Sequence, residues 1–247
     1  MKMKKAVRIL MVLVLALVMM IGIGFVYLYR NGMSGIANTT EAKEGQTRVA
    51  CVGDSVTYGH GTSNWPNNTY PALLQSMLGE SYHVNNYGVS SFAVQSSADR
   101  PYATLKHYQE SLAYNGDIVV FMMGTNDSKP ENWIDEKTFR EDLLQILDSY
   151  GDAKIVLCTV PSAFFLDGQT EGVTNHDIQP EVVNRIAEVI RQIAEERGYA
   201  LVDIHALTVQ HPEWFAKDGV HPSNEGAAGI AQAVYGTIIN LETENET

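Results

Sequence analysis

Five short apolar runs alternate with helix-forming segments along this chain, and this alternation limits its fold more than any other feature. The third and fourth runs are almost wholly apolar, as expected of strands that are buried on both faces of a parallel sheet. Strand–helix alternation predicts an α/β protein, a three-layer αβα sandwich around a five-stranded, mostly parallel sheet. The predicted strands are Arg48–Val52, His83–Tyr87, Asp117–Met123, Lys154–Val160 and Ala200–Ile204.

Helix signals fill the intervals between these strands. Thr138 and Glu141 form a capping-box pattern, and Gly151 ends the apolar stripe that follows them. Pro180 opens a second helix, which Gly198 ends. The two remaining predicted helices are Tyr70–Leu78 and Asn224–Asn240.

The first thirty residues have a different character from the rest. Four cations, Lys2, Lys4, Lys5 and Arg8, precede the uncharged stretch Ile9–Leu28. Its length is close to the roughly 20 apolar residues that cross a bilayer. We therefore expect a membrane helix through residues 9–28, with a cytoplasmic N-terminus and an exported domain. A cleaved signal peptide is the alternative, and the domain would then be secreted.

The predicted organisation has four parts. Residues 1–30 form the anchor or signal segment, residues 31–46 a flexible linker, residues 47–241 one folded domain and residues 242–247 a disordered tail. Beyond residue 30 the chain carries 12 cations and 29 carboxylates, a net charge of −17. Such a surface repels nucleic acid and anionic lipid, so we expect a neutral or weakly charged substrate and no nucleic-acid partner. The sequence indicates no oligomeric state.

Cys51 and Cys158 are the two cysteines of the chain. Each lies inside an apolar run that is predicted to be a strand, and the predicted topology places another strand between them. We therefore expect two buried, unlinked thiols.

Two short segments that lie far apart in sequence carry the residue types of a serine hydrolase. Ser55 follows the first predicted strand, and His221 lies three residues after Asp218. These side chains could supply a nucleophile, a general base and the acid that orients the base. Simpler interpretations are that Asp54 and Ser55 cap a helix and that Asp218 forms a local turn.

Acyl transfer also needs donors for the oxyanion. Asn126 follows the most apolar strand, and Gly88 ends the strand before it. With the N–H of Ser55, the amide of Asn126 and the N–H of Gly88 would make three donors. Ordinary roles as a loop cap for Asn126 and a turn residue for Gly88 remain the alternatives.

Four blocks of this sequence, in this order, resemble the SGNH (GDSL-type) hydrolase superfamily over about residues 47–241. The resemblance implies a flavodoxin-like αβα fold, with Ser55 as nucleophile, His221 as base and Asp218 orienting that base. It also implies that Gly88 and Asn126 belong to the oxyanion hole. The four blocks are Gly53-Asp54-Ser55, Gly88, Gly124-Thr125-Asn126-Asp127 and Asp218-Gly219-Val220-His221-Pro222.

A further stretch narrows this resemblance. The run from Gly124 to Pro130, followed by Asn132 and Trp133, is similar to bacterial carbohydrate esterases. Those proteins act as acetylxylan-type or sialate-type O-acetylesterases.

Aromatic residues and histidines add weaker candidates. Trp133 and Trp65 are candidate sugar-stacking residues, and Phe164 is a candidate wall of an acyl pocket, although each side chain equally suits the core. The remaining histidines have no ligand spacing, so the sequence predicts no metal site. These are His60, His83, His107, His176, His205 and His211.

The expected activity is that of a carboxylic ester hydrolase without a cofactor. It would remove small O-acyl groups, O-acetyl above all, from carbohydrates through an acyl-enzyme. Three alternatives stay open: a lysophospholipase or acyl-thioesterase that takes longer chains, a flavodoxin-like FMN carrier, and a non-catalytic sugar-binding module.

Overall fold

The computed structural model describes residues 2–30, 35–37 and 39–243, except for the side chains of residues 2–6 and 23–30. The chain divides into two compact units, Met1–Ser34 and Gly35–Thr247. The first unit contains helix α1 (Lys2–Arg30). Within the described residues, no helix combines the length and the apolar character that a membrane span requires. The predicted membrane helix is therefore not supported by the structure.

The second unit is built on one five-stranded sheet. All neighbouring strands pair in parallel, in the order β2-β1-β3-β4-β5. This is the flavodoxin-like order, in which ligands bind beyond the carboxyl ends of the strands. The prediction of a five-stranded parallel sheet is confirmed. The strands are β1 (Thr47–Gly53), β2 (Tyr82–Gly88), β3 (Ile118–Met122), β4 (Lys154–Cys158) and β5 (Ala200–Val202).

Helices cover both faces of this sheet. On one face, Phe139 and Ile186 pack with buried side chains of the strands. On the other face, Leu74 and Ile230 do the same. The two apolar clusters give the αβα sandwich its two cores. The helices are α2 (Ser55–Tyr58), α3 (Tyr70–Leu78), α4 (Lys106–Ala113), α5 (Glu136–Asp148), α6 (Pro180–Arg197), α7 (Ile204–Thr208) and α8 (Asn224–Thr243).

Helix α5 begins earlier than its capping-box pattern predicts. The side chain of Asp135 accepts a hydrogen bond from the backbone N–H of Thr138 at 2.7 Å, so Asp135 is the N-cap and Thr138 lies inside the helix. A carboxylate is at least as good an N-cap as a threonine hydroxyl, and its charge also suits the N-terminal end of the helix dipole. Helix α6 has the predicted bounds, and Gly198 ends it with a φ of 65°.

The predicted linker and tail both lie partly inside the folded unit. Gly35 accepts a backbone hydrogen bond from Ser90 at 2.8 Å, and the N–H of Thr40 donates to Asn85 Oδ1 at 3.0 Å. The chain therefore packs against the β2 edge before residue 47. Residues 31–34 and 38 of the predicted linker lie outside the described residues. At the other end α8 continues to Thr243, and residues 244–247 of the predicted tail lie outside the described residues.

The two cysteines are buried and unlinked, as predicted. Cys51 lies in β1 and Cys158 in β4, with β3 between these strands. Burial raises the pKa of the Cys51 thiol to about 12, so the thiolate that reacts or binds metal is not populated near neutral pH.

Candidate active site

Ser55 lies on a tight turn between β1 and α2. A Cβ atom on Gly53 would lie 2.0 Å from Thr57 Oγ1 and 2.4 Å from the carbonyl oxygen of Met122, so only glycine permits this turn. Asp54 Oδ1 accepts the N–H of Val56 at 3.0 Å and caps the helix. Ser55, which is 7% exposed, is the first residue of α2. The helix-capping interpretation thus holds for Asp54 and leaves the Ser55 hydroxyl available.

The Ser55 hydroxyl, the His221 ring and the Asp218 carboxylate form one chain of hydrogen bonds. His221 Nε2 lies 2.9 Å from Ser55 Oγ, and His221 Nδ1 lies 2.7 Å from Asp218 Oδ2. An ionised carboxylate only accepts hydrogen bonds, so the ring proton belongs on Nδ1 and Nε2 is left to accept from the serine. The fold therefore brings Ser55 to His221 across 166 positions of the sequence, and Asp218 lies three positions before His221.

The Asp218 carboxylate is held by the backbone as well as by the imidazole. Its Oδ1 accepts from the N–H groups of Val220 and His221, both at 3.0 Å. Burial alone would raise the pKa of Asp218, but the hydrogen bonds from the His221 side chain and from these N–H groups outweigh it and hold the pKa well below its ordinary value. Asp218 therefore stays charged at any pH at which the protein would work.

His60 lies beside this group. Its ring centroid is 5.3 Å from that of His221. Burial, followed by the neighbouring rings of His221 and His176, lowers the pKa of His60 to about 4. His60 is therefore neutral near pH 7 and places no positive charge next to the catalytic imidazole candidate.

A cleft of about 420 Å³ opens over Ser55 and His221. It lies beyond the carboxyl ends of β1, β2 and β3, where the fold is expected to bind ligands. Most of its lining residues are polar, and Ile178 and Val220 are the two with large apolar side chains. The polar lining residues other than Ser55, Asp218 and His221 include His60, Ser91, Thr125, Asn126, Lys129 and His176.

Asn126 lines the cleft as predicted, whereas Gly88 does not. One hydrogen of the Asn126 amide is donated to the carbonyl oxygen of Phe92 at 3.0 Å, and the second hydrogen remains for a ligand. The N–H of Gly88 donates to Asn86 Oδ1 at 2.8 Å. The structure therefore contradicts the prediction that Gly88 supplies an oxyanion donor.

Gly88 is needed for a different reason. A Cβ atom there would lie 2.2 Å from the backbone nitrogen of Tyr58. The glycine lets β2 approach α2, the helix that carries Ser55. Its effect on the site is thus one of packing.

Ser91 is a residue of the cleft that the sequence analysis missed. It lines the cleft with a φ of 70°, and its N–H has no hydrogen-bond acceptor among the described residues. A serine gives no indication of a positive φ, because this conformation is uncommon for serine, and the residue type therefore did not point to this position. The Ser90-Ser91 pair after a strand was the only signal available.

A buried carboxylate holds this segment in place. Asp127 accepts from the N–H groups of Val94 at 2.9 Å and Gln95 at 2.7 Å. Burial raises the pKa of Asp127 to about 7. These two hydrogen bonds tie the loop after β2, which includes Ser91, to the turn that carries Asn126.

Trp133 is not placed where a sugar in the cleft could stack on it. Its ring lies 6.2 Å from that of Phe139, and the guanidinium carbon of Arg185 lies 5.3 Å from the indole centroid. The side chain packs against the core instead of lining the cleft. The prediction of substrate contact is therefore wrong for this residue.

Trp65 and Phe164 are likewise absent from the cleft wall. Trp65 stacks on Tyr58 at 5.2 Å and donates its indole N–H to the carbonyl oxygen of Tyr58 at 2.9 Å. Phe164 packs edge-on against Phe215 at 4.9 Å. Both aromatic side chains stabilise loops around the site, which corrects their predicted role.

The fold also assembles potential metal ligands that their spacing did not indicate. His176 Nε2 lies 3.5 Å from Asp218 Oδ2. With His221, these residues offer three ligand atoms within 4.8 Å of one another. Because 42 residues separate His176 from Asp218, no local motif could have predicted the group.

Comparison with known proteins places this geometry in context. A model of the GDSL-like Lipase/Acylhydrolase family matches residues 51–228. An acetylxylan esterase from Xylanibacter ruminicola is 33% identical over 218 residues, which cover 79% of this chain and 44% of that protein. The chain thus spans less than half the length of this relative.

Solved structures share the fold. A lipase/acylhydrolase from Enterococcus faecalis superposes with a TM-score of 0.65 at 21% identity and covers 78% of this chain and 95% of its own. Est24, a carbohydrate acetylesterase from Sinorhizobium meliloti, has a TM-score of 0.63 at 16% identity and covers 79% of this chain and 100% of its own. At these identities the likeness establishes the architecture alone.

Proposed function

The chain belongs to the GDSL-like lipase/acylhydrolase family, and we propose that it is a serine esterase that removes O-acetyl groups from carbohydrates. The observation that carries this proposal is the hydrogen-bonded chain Ser55–His221–Asp218, with distances of 2.9 and 2.7 Å, at the wall of a polar cleft. A serine hydroxyl becomes a nucleophile only when a base takes its proton, and this geometry provides that base.

In the proposed reaction Ser55 Oγ attacks the acetyl carbonyl carbon while His221 Nε2 takes the hydroxyl proton. The carbonyl π electrons move to oxygen and form the tetrahedral oxyanion. When the intermediate collapses, the bond to the sugar oxygen breaks and His221 gives its proton to that oxygen. Water, deprotonated by the same imidazole, then attacks the carbonyl carbon of the acetyl-serine. The bond to Ser55 Oγ breaks, His221 returns the proton to that oxygen, and acetate is released. Asp218 fixes the ring tautomer and stabilises the imidazolium throughout.

We place three donors around the oxyanion: the N–H groups of Ser55 and Ser91 and the free amide hydrogen of Asn126. The proposal rests on the position of Ser91 and Asn126 in the cleft wall and on the unpaired state of these hydrogens among the described residues. Preorganised donors of this kind are worth about 3–4 kcal/mol each in the transition state.

Two observations favour an acetyl ester of a sugar over a long-chain ester. Most of the residues that line the cleft of about 420 Å³ are polar and suit hydroxyl groups, and the cleft has no extended apolar channel among the described residues. The relative at 33% identity is an acetylxylan esterase. A lysophospholipase or thioesterase would need apolar walls to bury a long acyl chain.

We also propose that the domain acts outside the cytoplasm. The support is the charge pattern of the first thirty residues, in which cations precede the uncharged stretch Ile9–Leu28. Protease digestion of intact cells tests this location. Digestion of the domain in intact cells supports it, and protection until the cells are lysed contradicts it.

Acetate release from acetylated xylan oligomers by the purified full-length chain tests the activity directly. Ser55→Ala is expected to abolish release, whereas Ser76→Ala, at an exposed position in α3, retains it. Rates on p-nitrophenyl acetate and p-nitrophenyl octanoate separate the two ester classes. A faster rate on octanoate would overturn the acetyl assignment, and an active Ser55→Ala variant would overturn the mechanism.

A further inference from the structure

His176 has no part in the proposed reaction, yet its ring faces the Asp218–His221 pair. Its Nε2 lies 3.5 Å from Asp218 Oδ2, and its ring centroid lies 5.1 Å from that of His221 in an edge-on arrangement. The 3-10 turn Asn175–Asp177 carries it, with φ values of 59° at His176 and 60° at Asp177. The hydrogen bond from Thr174 Oγ1 to the carbonyl oxygen of Phe164, at 2.7 Å, holds this turn in place.

Two imidazoles and one carboxylate are a ligand set that Zn²⁺ prefers, and open zinc sites commonly use three protein ligands. His176, Asp218 and His221 each offer one such atom within 4.8 Å of the others. The described part of the chain contains no second group of three such side chains. We propose that these three residues bind a zinc ion and that the bound ion switches the esterase off. The second half of this inference rests on the proposed function.

Two of the three ligand–ligand distances fit a zinc ion after a small adjustment, and the His176–His221 pair, which lies within 4.8 Å, has to close by up to roughly 1.5 Å. With bonds of about 2.0–2.1 Å, two ligands on tetrahedral zinc lie roughly 3.3 Å apart. The His176–Asp218 distance of 3.5 Å is already close to this value. The His221–Asp218 distance of 2.7 Å has to widen by roughly half an ångström. The His176 side chain is 54% exposed, so an ion from solvent reaches it without any opening of the core.

Occupancy of the site is incompatible with catalysis because of the imidazole tautomer. In the free enzyme His221 Nδ1 donates to Asp218, and Nε2 accepts from Ser55. Zinc binds through the lone pair of Nδ1, so the single proton of the neutral ring must move to Nε2. No proton is lost in this exchange. Nε2 then has no lone pair for the serine proton, and Asp218 becomes a metal ligand in place of a hydrogen-bond acceptor.

Zinc titration of activity tests the switch. The full-length chain is freed of metal with a chelator, and the rate on p-nitrophenyl acetate is measured at rising ZnCl₂, each variant being compared with its own zinc-free rate. At a zinc concentration about ten times the Kd, the wild-type rate should fall about tenfold. His176→Ala should need at least tenfold more zinc for the same loss. His60→Ala, in the same cleft but outside the group, should keep the wild-type response, and MgCl₂ should have no effect.

A binding measurement separates this inference from the proposed function. Ser55→Ala keeps all three ligands, so competition with a chromogenic zinc chelator should find one zinc per chain. Adding His176→Ala to that variant should weaken binding at least tenfold. If the chain binds zinc in this way but is no esterase, the proposed function fails and the metal site stands. If the enzyme is active but zinc neither binds nor inhibits, or if inhibition is unchanged in His176→Ala, the inference is wrong.

Discussion

Replacement of Asp218 by asparagine tests the relay most directly, because the substitution keeps the side-chain shape and removes the charge. In the native site Oδ1 accepts two backbone N–H groups, those of Val220 and His221, and Oδ2 accepts His221 Nδ1–H. An amide has only one oxygen. Asp218→Asn can therefore satisfy one of these two acceptor positions but not both.

The backbone decides which position keeps the oxygen. With the amide NH₂ at the Oδ1 position, two backbone N–H groups would each lose their acceptor, at about 1–3 kcal/mol apiece. We therefore expect the oxygen at Oδ1 and the NH₂ group against His221 Nδ1. That nitrogen must then accept, and the ring proton moves to Nε2, where it blocks removal of the Ser55 proton.

The same hydrogen bonds give the size of the effect. Flipping the amide to restore the reactive tautomer costs about 2–6 kcal/mol. At 1.36 kcal/mol per decade this corresponds to about 30-fold to 10⁴-fold in rate. Loss of the negative charge beside the imidazolium adds to the barrier. We expect kcat to fall by about 10³-fold to 10⁴-fold, with little change in KM.

The assay compares kcat and KM on p-nitrophenyl acetate, together with thermal melting, for the wild type and the variant. Asp177→Asn is the matched control, since Asp177 lines the same cleft without a hydrogen bond to His221. The control should keep most of its activity, and both variants should unfold cooperatively. A folded Asp218→Asn protein with kcat within tenfold of wild type would refute the tautomer argument.

Three further predictions concern packing and pH. Gly88→Ala places a Cβ atom 2.2 Å from the backbone nitrogen of Tyr58 and should lower the free energy of unfolding by denaturant by about 1–3 kcal/mol. The control is Gly236→Ala, whose new Cβ atom would have no neighbour within 4 Å, and it should be neutral or stabilising. Trp133→Ala should lower the free energy of unfolding by about 2 kcal/mol and leave KM unchanged. A raised KM with unchanged stability would show that Trp133 contacts the substrate. Burial lowers the pKa of His60 to about 4 in the folded protein. As pH drops from about 6.5 to about 4, His60 is protonated in the unfolded chain before it is protonated in the folded one, so the stability of the wild type falls over this range. His60→Gln should lack this loss, and equal changes in melting temperature between pH 7 and pH 4.5 for the two proteins would contradict the assignment.

Elements with a strong local signal were predictable from the sequence. Strands β3 and β4 are almost wholly apolar, so they were expected to be buried on both faces of the sheet. Pro180 and Gly198 indicated where α6 begins and ends. The start of α5 was not predictable from the sequence, because Asp135 and Thr138 are both good N-caps and only the folded backbone selects one of them. Helix α4 was missed, since its N-cap position holds Leu105, which makes no side-chain capping bond.

The site shows the same division. Gly88 was predicted to be an oxyanion donor, but its N–H is taken by Asn86 and the glycine is needed because the backbone of α2 approaches it closely. Trp133 and Phe164 had two possible environments, the core and the cleft, and apolar character alone does not distinguish them. For Ser91 the sequence offered only the Ser90-Ser91 pair after a strand, because its importance lies in a backbone N–H that every residue except proline has.

By itself, the sequence determined the sheet, its approximate strands and the residue types that the proposed chemistry needs, because each depends on periodicity or on side-chain chemistry within a few residues. The tertiary structure alone decided the distance at which His221 meets Ser55 across 166 positions, that Ser91 faces the cleft, and that His176 joins Asp218. These placements depend on how loops from different strands meet at one edge of the sheet. Such meetings are set by the packing of the whole domain, and no local pattern encodes them.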